Sequence, residues 1–114
     1  MVTEENYVPA RGDVIWINFD PQVGHEQSGR RPAVVLSPVD YNRTVGLGLM
    51  CPITTRSKGY PWEVALDQLS GVQGVVLADQ VKSLDWRRRN AAFMARLDDS
   101  TTSVILARAR TLLG

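Results

Sequence analysis

Residues 24–37, GHEQSGRRPAVVLS, constrain the fold more than any other stretch of this chain. A polar segment carrying Gly24 and Gly29 runs into the apolar residues Ala33, Val34, Val35 and Leu36, with Arg30, Arg31 and Pro32 between. Proline fixes its own φ and drives the preceding residue into extended conformation. Arg31 is therefore expected at the mouth of a strand, with its chain direction set. A guanidinium presents five donors in a planar fork that suits a phosphate or a carboxylate. Arg31, close to Glu26 and Gln27, is a candidate for handling an anion. The competing reading is a solvated arginine paired with a surface carboxylate.

The strand that follows is uninterruptedly apolar, which predicts cover on both faces. Upstream, DVIWINFD at 13–20 alternates Ile15, Ile17 and Phe19 with Val14, Trp16 and Asn18, the period of a strand. Further strands are predicted over 45–53, 62–66, 75–84 and 91–97. Tyr41 and Asn42 read as a turn, and residues 85–89 as a polar, cationic turn. Pro52 and two glycines, Gly46 and Gly48, predict an irregular ladder in the third strand. Asp98 to Ser100 offer capping groups for a closing helix in which Ile105, Ala109 and Leu112 share a face. Residues 1–10 show no periodicity and are expected to form a loose arm. Six short strands and one helix predict a mainly β protein, a curved antiparallel sheet or small barrel.

Composition removes several alternatives. At 114 residues the chain fits one domain, taken as 1–114. No apolar run approaches the ~18 residues of a membrane helix, and the acidic, polar N-terminus is unlike a secretory signal, so a cytoplasmic location is expected. The single cysteine, Cys51, permits no internal disulfide and reads as a buried apolar residue. One histidine and one cysteine fall short of a structural zinc site, so no metal or other cofactor is expected. The net charge is only +1, but cations cluster at Arg30–Arg31, at Arg56 and Lys58, and at residues 87–89. A local basic surface is compatible with that sum.

Four blocks carry a resemblance: GDVIWINFDP at 12–21, GHEQSGRRPAVVLSP at 24–38, CPITTRSKGYPWEV at 51–64 and LADQVKSLDWRRR at 77–89. In this order they resemble the MazF/PemK-like toxins of bacterial toxin–antitoxin pairs. The resemblance implies an SH3-like, CcdB–MazF-type curved barrel with a C-terminal helix, acting as a homodimer. It implies a sequence-specific endoribonuclease that needs no metal and cuts single-stranded mRNA by attack of the ribose 2′-hydroxyl. The products would be 2′,3′-cyclic phosphate and 5′-hydroxyl ends, and a cognate MazE-like antitoxin would block the site. The alternative is a CcdB-like, gyrase-directed toxin that cuts nothing.

Carried over residue by residue, the resemblance places Arg31 and Thr54 at the scissile phosphate. It places Gln80 and the pair Glu26–Gln27 at the site. Charge that builds on phosphoryl oxygens is stabilised by fixed donors, which a guanidinium and a hydroxyl supply. Glu26 is the candidate general base, with His25 the alternative. RNA contacts are expected from Gln27, Ser28, Arg30, Arg56, Lys58, Gln80 and Arg87. Tyr60 and Trp62 are candidates for stacking on unpaired bases, with core packing the competing role for Trp62.

Overall fold

The structure is a computed structural model that describes residues 6–20, 29–67 and 71–114. Strands β1 (Asp13–Asn18) and β2 (Arg30–Val35) form an antiparallel pair in which Trp16 faces Pro32. Helix α1 (Val39–Val45) leads into β3 (Gly48–Thr54), followed by β4 (Glu63–Ala65), β5 (Val75–Leu77), β6 (Lys82–Leu84) and β7 (Ala92–Arg96). Helix α2 (Asp99–Arg110) and a short 3-10 turn (Thr111–Leu113) close the chain.

Among the described residues seven strands pair in the order β4-β5-β3-β2-β1-β7, with β6 also on β3. The sheet is antiparallel and curved, but it is not closed into a ring. Strand β3 is its axis. Residues Gly48 to Met50 pair with β6, whereas Ile53 and Thr54 pair with β5. The exchange of partners falls at Cys51 and Pro52, and a proline lacks the N–H needed to continue one ladder. A second irregularity bends the other flank: the β1–β7 register slips between Val14 and Ile15, so Val14 faces Ala95 while Ile15 faces Phe93.

The two faces of β1 and β2 enter two cores. Val14, Val34, Leu36, Cys51, Ile53 and Val76 pack with Leu97 and Ile105 beneath α2. Ile15, Ile17, Phe19, Ala33, Val35, Met50 and Trp86 pack on the opposite face, with Tyr7 and Val8 laid over them. The uninterrupted apolar character of residues 33–36 has this cause: alternate residues are buried on opposite sides.

The described part of the N-terminal segment is tied down rather than loose. Tyr7 donates to Asp13 Oδ2 (2.7 Å), as does the Ala10 amide (2.9 Å), and Arg96 pairs with Asp13 Oδ1 at 2.9 Å. Residues 41–42 belong to α1 and are not a turn. The one buried residue of that helix is Asn42, whose side-chain amide donates to the Pro9 and Ser37 carbonyls and whose backbone carbonyl accepts from the Trp86 indole. A seven-residue helix that buries a polar side chain leaves no apolar period to read. The run 75–84 is two strands separated by a turn at Ala78 and Asp79, closed by the Gln80 amide on the Leu77 carbonyl. On α2 the buried residues are Thr102 and Ile105, with Leu106 and Ala109 packed alongside, while Leu112 lies in the 3-10 turn and is 48% exposed.

Candidate active site

Antiparallel pairing sets the start of β2 beside the end of β3, and β3 beside β5, whose last residue, Leu77, faces Glu63 at the start of β4. An open cleft of about 480 Å³ lies there, lined by Arg31, Thr54, Arg56, Lys58, Glu63 and Gln80, with Thr55, Tyr60 and Leu77. Ala33 faces Pro52 across β2 and β3, and the same register continued for two residues sets Arg31 opposite Thr54. Arg31 stands where Pro32 predicts it, half-buried near the start of β2 and not free in solvent.

Thr54 is 8% exposed. Its Oγ1 accepts from the Arg56 amide at 3.1 Å, which fixes the side-chain rotamer and leaves the hydroxyl proton to be donated elsewhere. From behind, Thr54 is held by Gly74. That glycine has φ +122°, and a Cβ there would stand 2.4 Å from the Thr54 carbonyl oxygen. Only glycine permits this approach.

The loop from β3 to β4 carries Arg56 and Lys58 and folds back onto Glu63. Ser57 Oγ (2.7 Å) and the Gly59 amide (3.0 Å) donate to Glu63 Oε1, and the Lys58 amide donates to Oε2 at 2.8 Å. These bonds, led by the Lys58 amide and then the Ser57 hydroxyl, hold the Glu63 carboxyl below its ordinary range. Tyr60 donates to Asp79 Oδ1 at 2.6 Å, joining this loop to the turn that bears Gln80. Trp62 donates its indole N–H to Thr111 Oγ1 at 2.8 Å, so this half-buried ring packs against the end of the C-terminal helix.

The structure thus gathers Arg31, Thr54, Arg56, Lys58 and Gln80 in one cleft. Arg30 and Arg87 are exposed and do not line it; Arg87 lies over the Trp86 ring, 4.7 Å from its centroid. Glu26, Gln27, Ser28 and His25 lie outside the described residues. Glu63 and Gly74 join the site although no sequence pattern marks them. A glycine after a turn and a lone glutamate at a strand start carry no distinctive signal, because their partners are backbone groups.

Fold and site together define a small curved-sheet protein with a C-terminal helix and a cationic cleft at its strand ends. Residues 10–113 match the family described as PemK-like, MazF-like toxin of type II toxin-antitoxin system, and the chain belongs to that family. It is 51% identical over 110 residues to the endoribonuclease toxin MazF of Escherichia coli strain K12, covering 95% of this chain and 96% of the relative. Identity to the endoribonuclease PemK of Escherichia coli is 32%, over 90% of this chain and 80% of the relative. The crystal structure of MazF (Form-I) from Deinococcus radiodurans superposes with a TM-score of 0.92 at 51% identity, covering 96% of this chain and 99% of that one. MazE-MazF (Form-II) from the same organism superposes at 0.83 and 46%, covering 96% and 98%. Among the described residues no helix is long and apolar enough to cross a membrane.

Proposed function

We propose that this chain is a cytoplasmic, sequence-specific endoribonuclease toxin that cuts single-stranded mRNA without a metal ion. It acts as a homodimer and is silenced by a MazE-like antitoxin. The observation that carries this reading is the convergence of Arg31 and Thr54 on one open, cationic cleft. The names of the relatives favour it over a gyrase-directed toxin, since those at 51% and 32% identity are endoribonucleases.

In this reading the substrate supplies its own nucleophile. The 2′-oxygen attacks the adjacent phosphorus, its proton passes to a base, and the P–O5′ bond breaks. The leaving 5′-oxygen takes up a proton, for which Arg31 is the positioned donor. Arg31 and the Thr54 hydroxyl stabilise the charge that grows on the phosphoryl oxygens. Arg56 and Lys58 hold flanking phosphates and Gln80 bonds a base edge or sugar. Arg30 and Arg87, off the cleft, serve RNA that extends beyond it. Glu26 is the proposed base and His25 the alternative. Cleavage by Glu26→Gln and His25→Ala on the same RNA decides between them: the variant that loses kcat names the base.

The test is cleavage of a synthetic single-stranded RNA in the presence of a chelator. Wild-type protein should leave 2′,3′-cyclic phosphate ends, and Arg31→Ala should lower kcat by about 10²–10³-fold, the usual cost of removing one oxyanion donor. Full activity in Arg31→Ala, or activity abolished by the chelator, would overturn the mechanism.

A further inference from the structure

We propose that Glu63 is a positioning residue of the cleft: its carboxylate holds the 55–60 loop in the one shape that points Arg56 and Lys58 at substrate. The inference rests on the nuclease reading above and adds a residue to it.

Three consecutive residues, Ser57, Lys58 and Gly59, turn a donor toward the same carboxylate at 2.7, 2.8 and 3.0 Å. Such convergence of successive donors is the arrangement with which a loop wraps an anion. Here the anion is covalently fixed, because Glu63 is the first residue of β4 and pairs with Leu77 of β5. Gly59 has φ +76°, a turn that brings its amide round to Oε1.

The loop is fastened at its far end as well. The Glu63 amide donates to the Tyr60 carbonyl at 3.1 Å, Tyr60 reaches Asp79, and Arg108 Nη1 donates to the Pro61 carbonyl at 2.5 Å. The carboxyl, held below its ordinary range, remains anionic at neutral pH. With Glu63 in place these three donors are satisfied, and the Arg56 and Lys58 side chains are what the loop offers to flanking phosphates. Without it, three donors lose their acceptor, and the two cations become tethered to a loop with many shapes. Substrate binding, rather than the chemical step, should bear the loss.

The experiment compares wild type, Glu63→Ala, Glu63→Gln and Ser57→Ala. Amide hydrogen exchange at Lys58 and Gly59 is read by NMR, and kcat and KM are measured on a single-stranded RNA oligonucleotide. Glu63→Ala should speed exchange at both amides by about tenfold or more and raise KM about tenfold, with kcat within about threefold of wild type. Glu63→Gln, which keeps one acceptor oxygen, should fall between the two. Wild-type exchange rates or a wild-type KM in Glu63→Ala overturn the proposal, as does a loss confined to kcat. Should Glu63→Ala melt far below wild type, Ser57→Ala decides instead: a raised KM at an unchanged melting temperature supports the role, and an unchanged KM overturns it. Wild-type protein that cuts no RNA removes the nuclease reading itself, whereas a fully active Glu63→Ala removes only the part assigned to Glu63.

Discussion

Cys51 shows how a single residue's chemistry follows from its place in the sheet. It pairs with Val34 in the middle of β3 and is fully buried. Burial, assisted by the charge of Asp79, pushes its thiol up to about 12. The thiolate is the reactive form. Native protein should therefore resist iodoacetamide at pH 8 and take up one label per chain in concentrated guanidinium chloride, as mass spectrometry would show. Tyr7 is also raised, first by burial and then by its bond to Asp13. Both groups stay protonated in the fold at a pH where the unfolded chain has begun to release its protons, from about 9 to 10. The unfolded state then binds fewer protons, so stability falls as pH rises. Melting temperatures should be level through neutral pH and decline above about pH 9. At the same scale, Arg31 is legible in the amino-acid sequence. Pro32 dictates the strand entrance, and the apolar run dictates which end of the strand is solvent-facing. Thr54 is legible through the block in which it stands, CPITTRSKGYPWEV. Glu63 is not legible. Two of its three donors are backbone amides, which look alike in every sequence.

The elements show where patterns carry information and where they stop. β1 and β2 are both covered on two faces, β1 less completely toward Trp16 and Asn18, and both can be read from their apolar residues. The cap of α2 is readable too: Asp98 accepts from the Thr101 amide at 2.8 Å. α1 escapes detection because its buried residue is Asn42. β5 and β6 read as one strand because the turn between them holds only Asp79 and Gln80 as polar signals against a largely apolar run. Gly74 belongs to this scale, since it lets the approach to β5 cross behind the end of β3. Gly74→Ala forces a Cβ against the Thr54 carbonyl and strains φ. We expect the melting temperature to fall by about 5–15 °C and RNA cleavage to drop more than the residual folded fraction explains, because Thr54 is displaced. Circular dichroism and single-turnover cleavage on the same samples check both parts.

Across the molecule, the cleft occupies one edge and an apolar groove occupies another. The groove, about 520 Å³, is lined by Leu36, Leu49, Val81, Leu106, Ala109 and Leu112, with Leu113 beside them. Leu49, Leu112 and Leu113 are 40%, 48% and 90% exposed, an apolar patch of the kind that marks a protein–protein contact, and the proposed homodimer is expected to use it. The double substitution Leu112→Glu, Leu113→Glu should convert a dimer to a monomer in sedimentation velocity while each chain keeps its circular dichroism spectrum. A dimer that survives the change places the contact elsewhere.

The hydrogen bond from Trp62 to Thr111 joins the residue before Glu63, which lines the cleft, to the tail of the last helix. That seam carries, in effect, a built-in optical gauge. Trp86 is almost wholly enclosed, at 3% exposure, whereas Trp62, next to the cleft residue Glu63, and Trp16, which faces Pro32 beside Arg31, are half-buried. Occupancy of the site should be visible, without a dye, as a change in tryptophan emission, and comparing Trp62→Phe with Trp16→Phe shows which ring carries it.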